Sequence, residues 1–175
     1  NVTTYEYDKR DRHTATQSPD PDLEEGWTTL AELKAQGKIR YIGVSNFDAG
    51  QMAQALEIAR FHSNQPPYNL IDRQIEAEDI AFCERNGIGI LAHSPLAKGL
   101  LAGKLARDHV FDTHDGRGKY PMFQGEEWHK NQDFVDRLRD VARDAGKTLA
   151  QVVINWTIHR PGITSALCGA KRAYQ

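Results

Sequence analysis

The sequence predicts an α/β protein built on a parallel sheet, and three observations predict it. Short apolar runs that end in polar residues recur along the chain, as in Ile42-Gly43-Val44-Ser45-Asn46 and Ile88-Gly89-Ile90-Leu91-Ala92-His93-Ser94. Such runs mark strands covered on both faces, whose carboxyl ends hold ligands. Between them the apolar spacing changes to roughly 3.6 residues, the period of a helix. Glycine and proline breaks at Gly37, Pro66-Pro67, Asn86-Gly87 and Pro161-Gly162 separate one kind of segment from the other.

Taken in order, residues 1–16 mix alternating β-formers with a dense charge cluster, and His13 to Gln17 can hold a short strand or belong to a rearranged end. Tyr5 and Tyr7 in that segment read as surface tyrosines of a charged tail. Leu23, Trp27, Leu30 and Leu33 share one helical face that ends at Gly37. Ile39 to Val44 form the first strand, with Tyr41 inside its apolar run. Asp48 with Gln51 opens the second helix as a cap with an amide at the third position, and Met52, Ala55, Leu56 and Ala59 form its inner stripe. His62 to Pro67 gives the next strand end, where Asn64, Gln65 and Asn69 supply amides. Ile75, Ile80 and Phe82 belong to a third helix that stops near Asn86-Gly87. The strand Gly87 to Ala92 follows, and a long polar loop spans 105–131. Phe134, Leu138, Val141 and Ala142 line a fourth helix. Thr148 with Gln151 caps a fifth that carries Val152, Val153 and Trp156, and Ile163 to Cys168 is the last strand.

Composition narrows the partners. The formal net charge of -2 over 175 residues, with signs mixed, offers no basic face to nucleic acid. No apolar run in these residues approaches the roughly 20 residues of a membrane span, and no charged-then-apolar leader is expected. Cys83, in a helix, and Cys168, at a strand end, are read as reduced thiols of a cytoplasmic protein. His62 and His93 lack a third ligand at useful spacing, and His109, His114 and His129 read as solvated loop residues, so no metal site is expected. No repeat or linker divides the chain, which is treated as one domain, 1–175, with 1–19 unassigned.

Four motifs, Gly37 to Phe47, Asn64 to Leu70, Gly87 to Lys104 and Cys168 to Arg172, resemble the aldo-keto reductase family in order and spacing. The likeness covers about 20–175. It implies parallel (β/α) units corresponding to the second half of a TIM-type (β/α)8 barrel, which takes about 250 residues. It also implies binding of NADP(H) and hydride transfer to a small-molecule carbonyl.

The resemblance implies a cofactor site of Ser45, Asn46, Gln65, His93, Ser94, Leu96, Gly99, Leu101, Gly103, Lys104, Gly169, Lys171, Arg172 and Gln175. Ser45 and Asn46 either cap the helix that follows or, with Gln65, grip a carboxamide, which needs both a donor and an acceptor. His93 stands where many members carry a Tyr that stacks on the nicotinamide; the bland reading is a histidine satisfied at the sheet edge. Gly99 and Gly103, with Lys98 and Lys104, suit a pyrophosphate or only a turn. Lys171 and Arg172 stand where the family grips the 2′-phosphate of NADP.

No segment matches the family's catalytic Tyr, Lys and Asp, and Gln17-Ser18-Pro19 stands where its His-Trp-Pro belongs. Gln can donate a hydrogen bond but does not titrate near neutrality. No catalytic residue is therefore assigned. The expected protein is a cofactor-holding half-barrel, active only when completed by the missing half; the alternative is a non-catalytic remnant that pairs with another copy. Either form leaves sheet edges and an apolar interior to be covered, so a homo-oligomer or a missing partner is expected.

Overall fold

A computed structural model of the chain describes residues 21–170. The expectations for Tyr5, Tyr7, Gln17, Lys171, Arg172 and Gln175 lie outside those residues. Helix α1 (Pro21–Ala35) leads to strand β1 (Gly43–Ser45), helix α2 (Ala49–Ile58), strand β2 (Ser63–Gln65), helix α3 (Asp79–Asn86) and strand β3 (Gly89–Ala92). Helices α4 (Gly125–Asp144) and α5 (Leu149–Ile158) precede strand β4 (Ile163–Ala166). The strands are parallel in the order β1-β2-β3-β4, so every crossover returns to the adjacent strand.

Local chemistry explains the boundaries. Asp48 and Thr148 both close full capping boxes, each side chain accepting from the backbone N–H of Gln51 or Gln151 while that glutamine's amide oxygen accepts from the cap N–H. Gly87 ends α3 in the left-handed region at φ 61°, its N–H donating to Cys83 O and Glu84 O. Four expectations need correction. Regular pairing of the first strand covers only Gly43–Ser45, and Tyr41, at 71% exposure, sits outside the core with its ring edge-on to His62. Ile75 occupies a separate 3-10 turn, Gln74–Glu76, because the backbone at Glu78 leaves helical geometry before α3 begins. Helix α4 starts at Gly125, inside the expected loop 105–131, whose Leu105, Phe123 and Trp128 are buried. Its buried stripe runs through Trp128, Gln132, Val135 and Ala142, and Val141 faces outward.

The core has two parts. Trp27, Val44, Met52, Phe61, Tyr68 and Ile90 pack between the sheet and α1 to α3. Leu100, Leu101, Phe123, Trp128, Val135 and Val153 form the second part beneath α4 and α5. Trp27 Nε1 links α1 to the end of α2 by donating to Ala55 O at 3.0 Å.

Register divides the two faces of the sheet. Val44, Asn64 and Ile90 are aligned across β1, β2 and β3 and buried against the helices. Alternation then sends Gly43, Ser45, Ser63, Gln65 and Gly89 to the opposite face. The expectation of apolar residues on both faces is corrected here: on β1 and β2 this second face is small and polar. Gly43 fits closely on it, since a Cβ there would lie 2.4 Å from Ser63 Oγ and 3.2 Å from Ser63 O, so that Ser63 would have to turn aside.

Candidate functional site

The carboxyl ends of β1, β2 and β3 converge on one hydrogen-bonded cluster. Gln65 O accepts from Ser45 Oγ at 2.9 Å and from the Asn46 N–H at 3.2 Å. Asn46 sits in the left-handed region at φ 60°, and its Oδ1 lies 2.9 Å from His93 Nε2. His93 Nδ1 is 3.0 Å from Ser94 Oγ. The His93 backbone is tied down as well, its N–H donating to Pro66 O at 2.9 Å and its carbonyl accepting from the Tyr68 N–H at 3.1 Å. Burial, followed by the positive charge of Lys98, holds the imidazole below its ordinary pKa, with Asp72 opposing. The neutral ring is therefore the favoured form at neutral pH.

The three amides expected near β2 separate. Asn64 is wholly buried on the helix-covered face, where its Nδ2 donates to Phe47 O at 2.8 Å and meets Met52 Sδ at 3.4 Å. Asn69 shapes its own loop, accepting through Oδ1 from the N–H groups of Ile71 and Asp72 and donating to Ser94 O. Gln65 alone of the three projects to the open face, and its carboxamide makes no hydrogen bond among the described residues.

The segment after β3 divides in the same way. Ser94, Ala97, Lys98 and Gly99 have φ of 55°, 46°, 54° and 96°, a concentration of left-handed backbone beside the cluster. Three of these are not glycine, so the surrounding structure imposes the conformation, and the turn is closed internally by the Ala97 N–H on Ser94 O and the Gly99 N–H on Leu96 O, both at 2.9 Å. Leu96 is half-buried against the second core part. Leu101 is fully buried in that part, so its side chain is unavailable to a ligand. Gly103, at φ 69°, is also structural: its carbonyl accepts from Arg139 at 2.8 Å, and a Cβ there would fall 2.7 Å from Leu149 Cδ2. Lys104 follows, exposed. Gly169 is exposed in the irregular segment after β4, just before Lys171 and Arg172.

Arg117 joins this edge without any cue in the sequence. Its Nη1 donates to Lys98 O at 3.3 Å, and the guanidinium grips Asp115 in a fork with contacts of 2.6 to 3.1 Å. That pairing holds the Asp115 carboxyl down to about 2. Lys98 Nζ lies 4.0 Å from the Tyr120 ring centroid, a cation over an aromatic face. Arg117 stands in a polar stretch whose composition reads only as loop; the fold, not the pattern, brings it to Gly99.

Among the described residues no group of three His, Cys, Asp or Glu side chains has a metal-holding arrangement, and no helix is long and apolar enough to cross a membrane. Parallel strand ends thus bring the Gln65 carboxamide, which has no hydrogen-bond partner among the described residues, beside a left-handed turn.

Comparison with known proteins assigns the family. The chain matches the Aldo/keto reductase family over residues 5–175, reaching N-terminal to the span its motifs indicate, and it belongs to that family. It is 36% identical over 160 residues to aldo-keto reductase YhdN of Bacillus subtilis, covering 90% of this chain and 48% of that protein. It is 33% identical over 141 residues to an NADH-specific methylglyoxal reductase of Escherichia coli, covering 81% of this chain and 43% of the relative. The solved glycerol dehydrogenase AKR11B4 from Gluconobacter oxydans superposes with a TM-score of 0.81 at 34% identity, over 88% of this chain and 47% of that one. The chain thus spans about half the length of the curated relatives it matches, and its parallel (β/α) units correspond to part of a TIM-type barrel.

Proposed function

We propose that this chain holds a nicotinamide dinucleotide at its strand ends, in the cofactor-binding half of an aldo-keto reductase site. The carrying observation is the carboxamide of Gln65 beside Asn46, whose Oδ1 is engaged by His93; among the described residues neither that carboxamide nor Asn46 Nδ2 has a hydrogen-bond partner. A ligand carboxamide needs one donor and one acceptor, and Asn46 Nδ2 with Gln65 Oε1 supplies that pair. The exposed Lys98 in the left-handed turn from Ser94 to Gly99 supplies the positive charge an anionic part of the ligand would meet. The family resemblance assigns Gly169 and, outside the described residues, Lys171, Arg172 and Gln175 to the adenosine end of the ligand. When bound, the dinucleotide supplies the hydride that reduces a small-molecule carbonyl.

The basic pair Lys171-Arg172 supports NADP(H) over NAD(H), since a guanidinium fork matches a phosphate dianion. One relative is named NADH-specific, so the preference is open to direct measurement. Titration of the purified protein with NADPH and NADH tests it. NADPH is expected to bind more tightly, and Arg172→Ala to weaken NADPH far more than NADH; equal affinity for both removes the claim.

Proton delivery to the carbonyl oxygen has no assigned donor in these 175 residues, and general acid catalysis contributes about 10²–10⁴ in rate. Carbonyl reduction therefore requires completion of the half-barrel, by further strands or by a second copy of the chain. Two free thiols among the described residues, Cys83 and Cys168, fit a reducing cytoplasmic setting. NADPH oxidation measured against an aldehyde panel, methylglyoxal included, is expected to stay at trace level for the isolated chain. Steady turnover that survives Tyr5→Phe with Tyr7→Phe would refute the half-site reading.

A further inference from the structure

We propose that His93 is a positioning residue that presets the side-chain amide of Asn46, so that the ligand carboxamide meets a fixed donor rather than a stacking ring. The proposal rests on the nicotinamide reading above. A carboxamide oxygen carries no proton, so the 2.9 Å contact between His93 Nε2 and Asn46 Oδ1 requires the proton on Nε2. A neutral imidazole then has a lone pair on Nδ1, which accepts from Ser94 Oγ at 3.0 Å. The hydrogen bonds run in one direction, from the Ser94 hydroxyl through the ring to the Asn46 oxygen.

Both flanking residues are held for this task. Asn46 and Ser94 each adopt left-handed backbone, at φ 60° and 55°. Asn46 is further pinned by its N–H on Gln65 O, and Ser94 by its carbonyl, which accepts from Asn69 Nδ2 at 3.1 Å. A ring with both nitrogens engaged is fixed in one orientation. Because Asn46 Oδ1 is occupied, Asn46 presents only its N–H donors to a ligand, and the acceptor role falls to Gln65. Asn46 is exposed and would otherwise rotate freely, so the histidine contact removes an ordering cost that binding would meet.

Two substitutions separate positioning from stacking. His93→Gln keeps a side-chain donor and loses the ring; His93→Phe keeps the ring and loses both hydrogen bonds. Binding of NADPH and NADH to each variant, to Asn46→Ala and to the His93→Phe/Asn46→Ala pair is followed by fluorescence titration. 2′-Phospho-ADP-ribose, which lacks the nicotinamide, serves as the control ligand. Positioning predicts that His93→Phe weakens NADPH by roughly tenfold, the scale of one lost hydrogen bond. It also predicts that His93→Gln stays within about twofold, that the double substitution is no worse than Asn46→Ala, and that the control ligand is unmoved. Retained affinity in His93→Phe with loss in His93→Gln overturns the proposal in favour of stacking.

Nitrogen-resolved NMR of the imidazole decides the matter independently of any cofactor. Protonation at Nε2, with an Asn46 side-chain NH2 signal displaced by His93→Phe and kept by His93→Gln, supports the assignment. Protonation at Nδ1, or an Asn46 signal indifferent to both substitutions, overturns it. If the protein binds neither dinucleotide, the nicotinamide reading fails while the NMR result still settles the role of His93.

Discussion

Gly162 offers the sharpest test of how β4 is seated. It lies in the turn between α5 and β4 at φ 80°, and a Cβ there would approach Ile80 Cγ2 to 2.4 Å and Glu84 Oε1 to 3.3 Å. The glutamate end can swing aside, but Ile80 packs on the first core part and cannot retreat far. Placing a non-glycine residue in left-handed backbone costs about 1–2 kcal/mol, and forcing a methyl into packed side chains adds about 1–3 kcal/mol. Gly162→Ala is therefore expected to destabilise the protein by about 2–5 kcal/mol. Gly146→Ala is the internal standard, since Gly146 has φ 62° and nothing within 4 Å of its would-be Cβ, leaving only the backbone cost. Urea denaturation followed by circular dichroism, with slopes compared across variants, reads both values. Adding Ile80→Ala to Gly162→Ala should recover part of the loss, because it removes the obstructing carbon. Equal destabilisation by the two alanines would refute the packing argument.

Three other outcomes follow from the same structure. Burial, with Asp79 adding to it, pushes the Cys83 thiol up to about 11, while Cys168 is exposed; a chromogenic thiol reagent at pH 8 should titrate one thiol in the native protein and two after denaturation. The folded pKa of His93 lies below its ordinary 6.5, so on acidification the unfolded chain takes the proton first; the stability tied to this group is complete above that value and is lost as pH falls toward the folded pKa. Lys98 and Asp72 face the ring with opposite effects, and the test is that the difference between wild-type and His93→Gln melts shrinks over that window. Glu76 accepts from buried Tyr68 at 2.5 Å and from Arg73 at 2.8 and 2.9 Å, so Glu76→Ala should cost about 2–4 kcal/mol by urea melt, and Glu76→Gln distinctly less.

Local signals carried the fold further than the site. Both capping boxes were legible because each involves residues three apart in sequence, Asp48 with Gln51 and Thr148 with Gln151. Gly87 was legible for the same reason, since a left-handed helix end is decided within one turn. Val141 faces outward for a different reason: Trp128 and Gln132, inside the polar stretch before Phe134, set the phase of α4. Leu101 and Gly103 followed from a motif read as one unit, whereas the chain turns at Gly99 and sends the rest into the helical layer. Arg117 was invisible because its partner Lys98 is reached only through the fold.

The two faces of the sheet carry the strongest constraint on what can pack against it. Adjacent strand residues point to opposite sides, so Asn64 and Gln65 could never have served one ligand together. The helix-covered side takes Val44, Asn64 and Ile90, and the other side keeps Gly43, Ser45, Ser63, Gln65 and Gly89. An apolar interior would drive association by burial alone. The part on β1 and β2, small and polar, does not, because hydroxyls and amides buried there must each find a hydrogen-bond partner; Leu91 of β3 is an apolar member of the same face. Whatever lies against this face, further strands or another copy, must therefore match it group by group, and the unpaired edges of β1 and β4 among the described strands set where backbone pairing would begin. Self-association of this chain should then depend on polar matching and edge pairing, so that Gln65→Leu weakens it while an exposed apolar residue such as Val110, changed to Ser, leaves it unaltered by sedimentation; the reverse pattern would show that the sheet is not the interface.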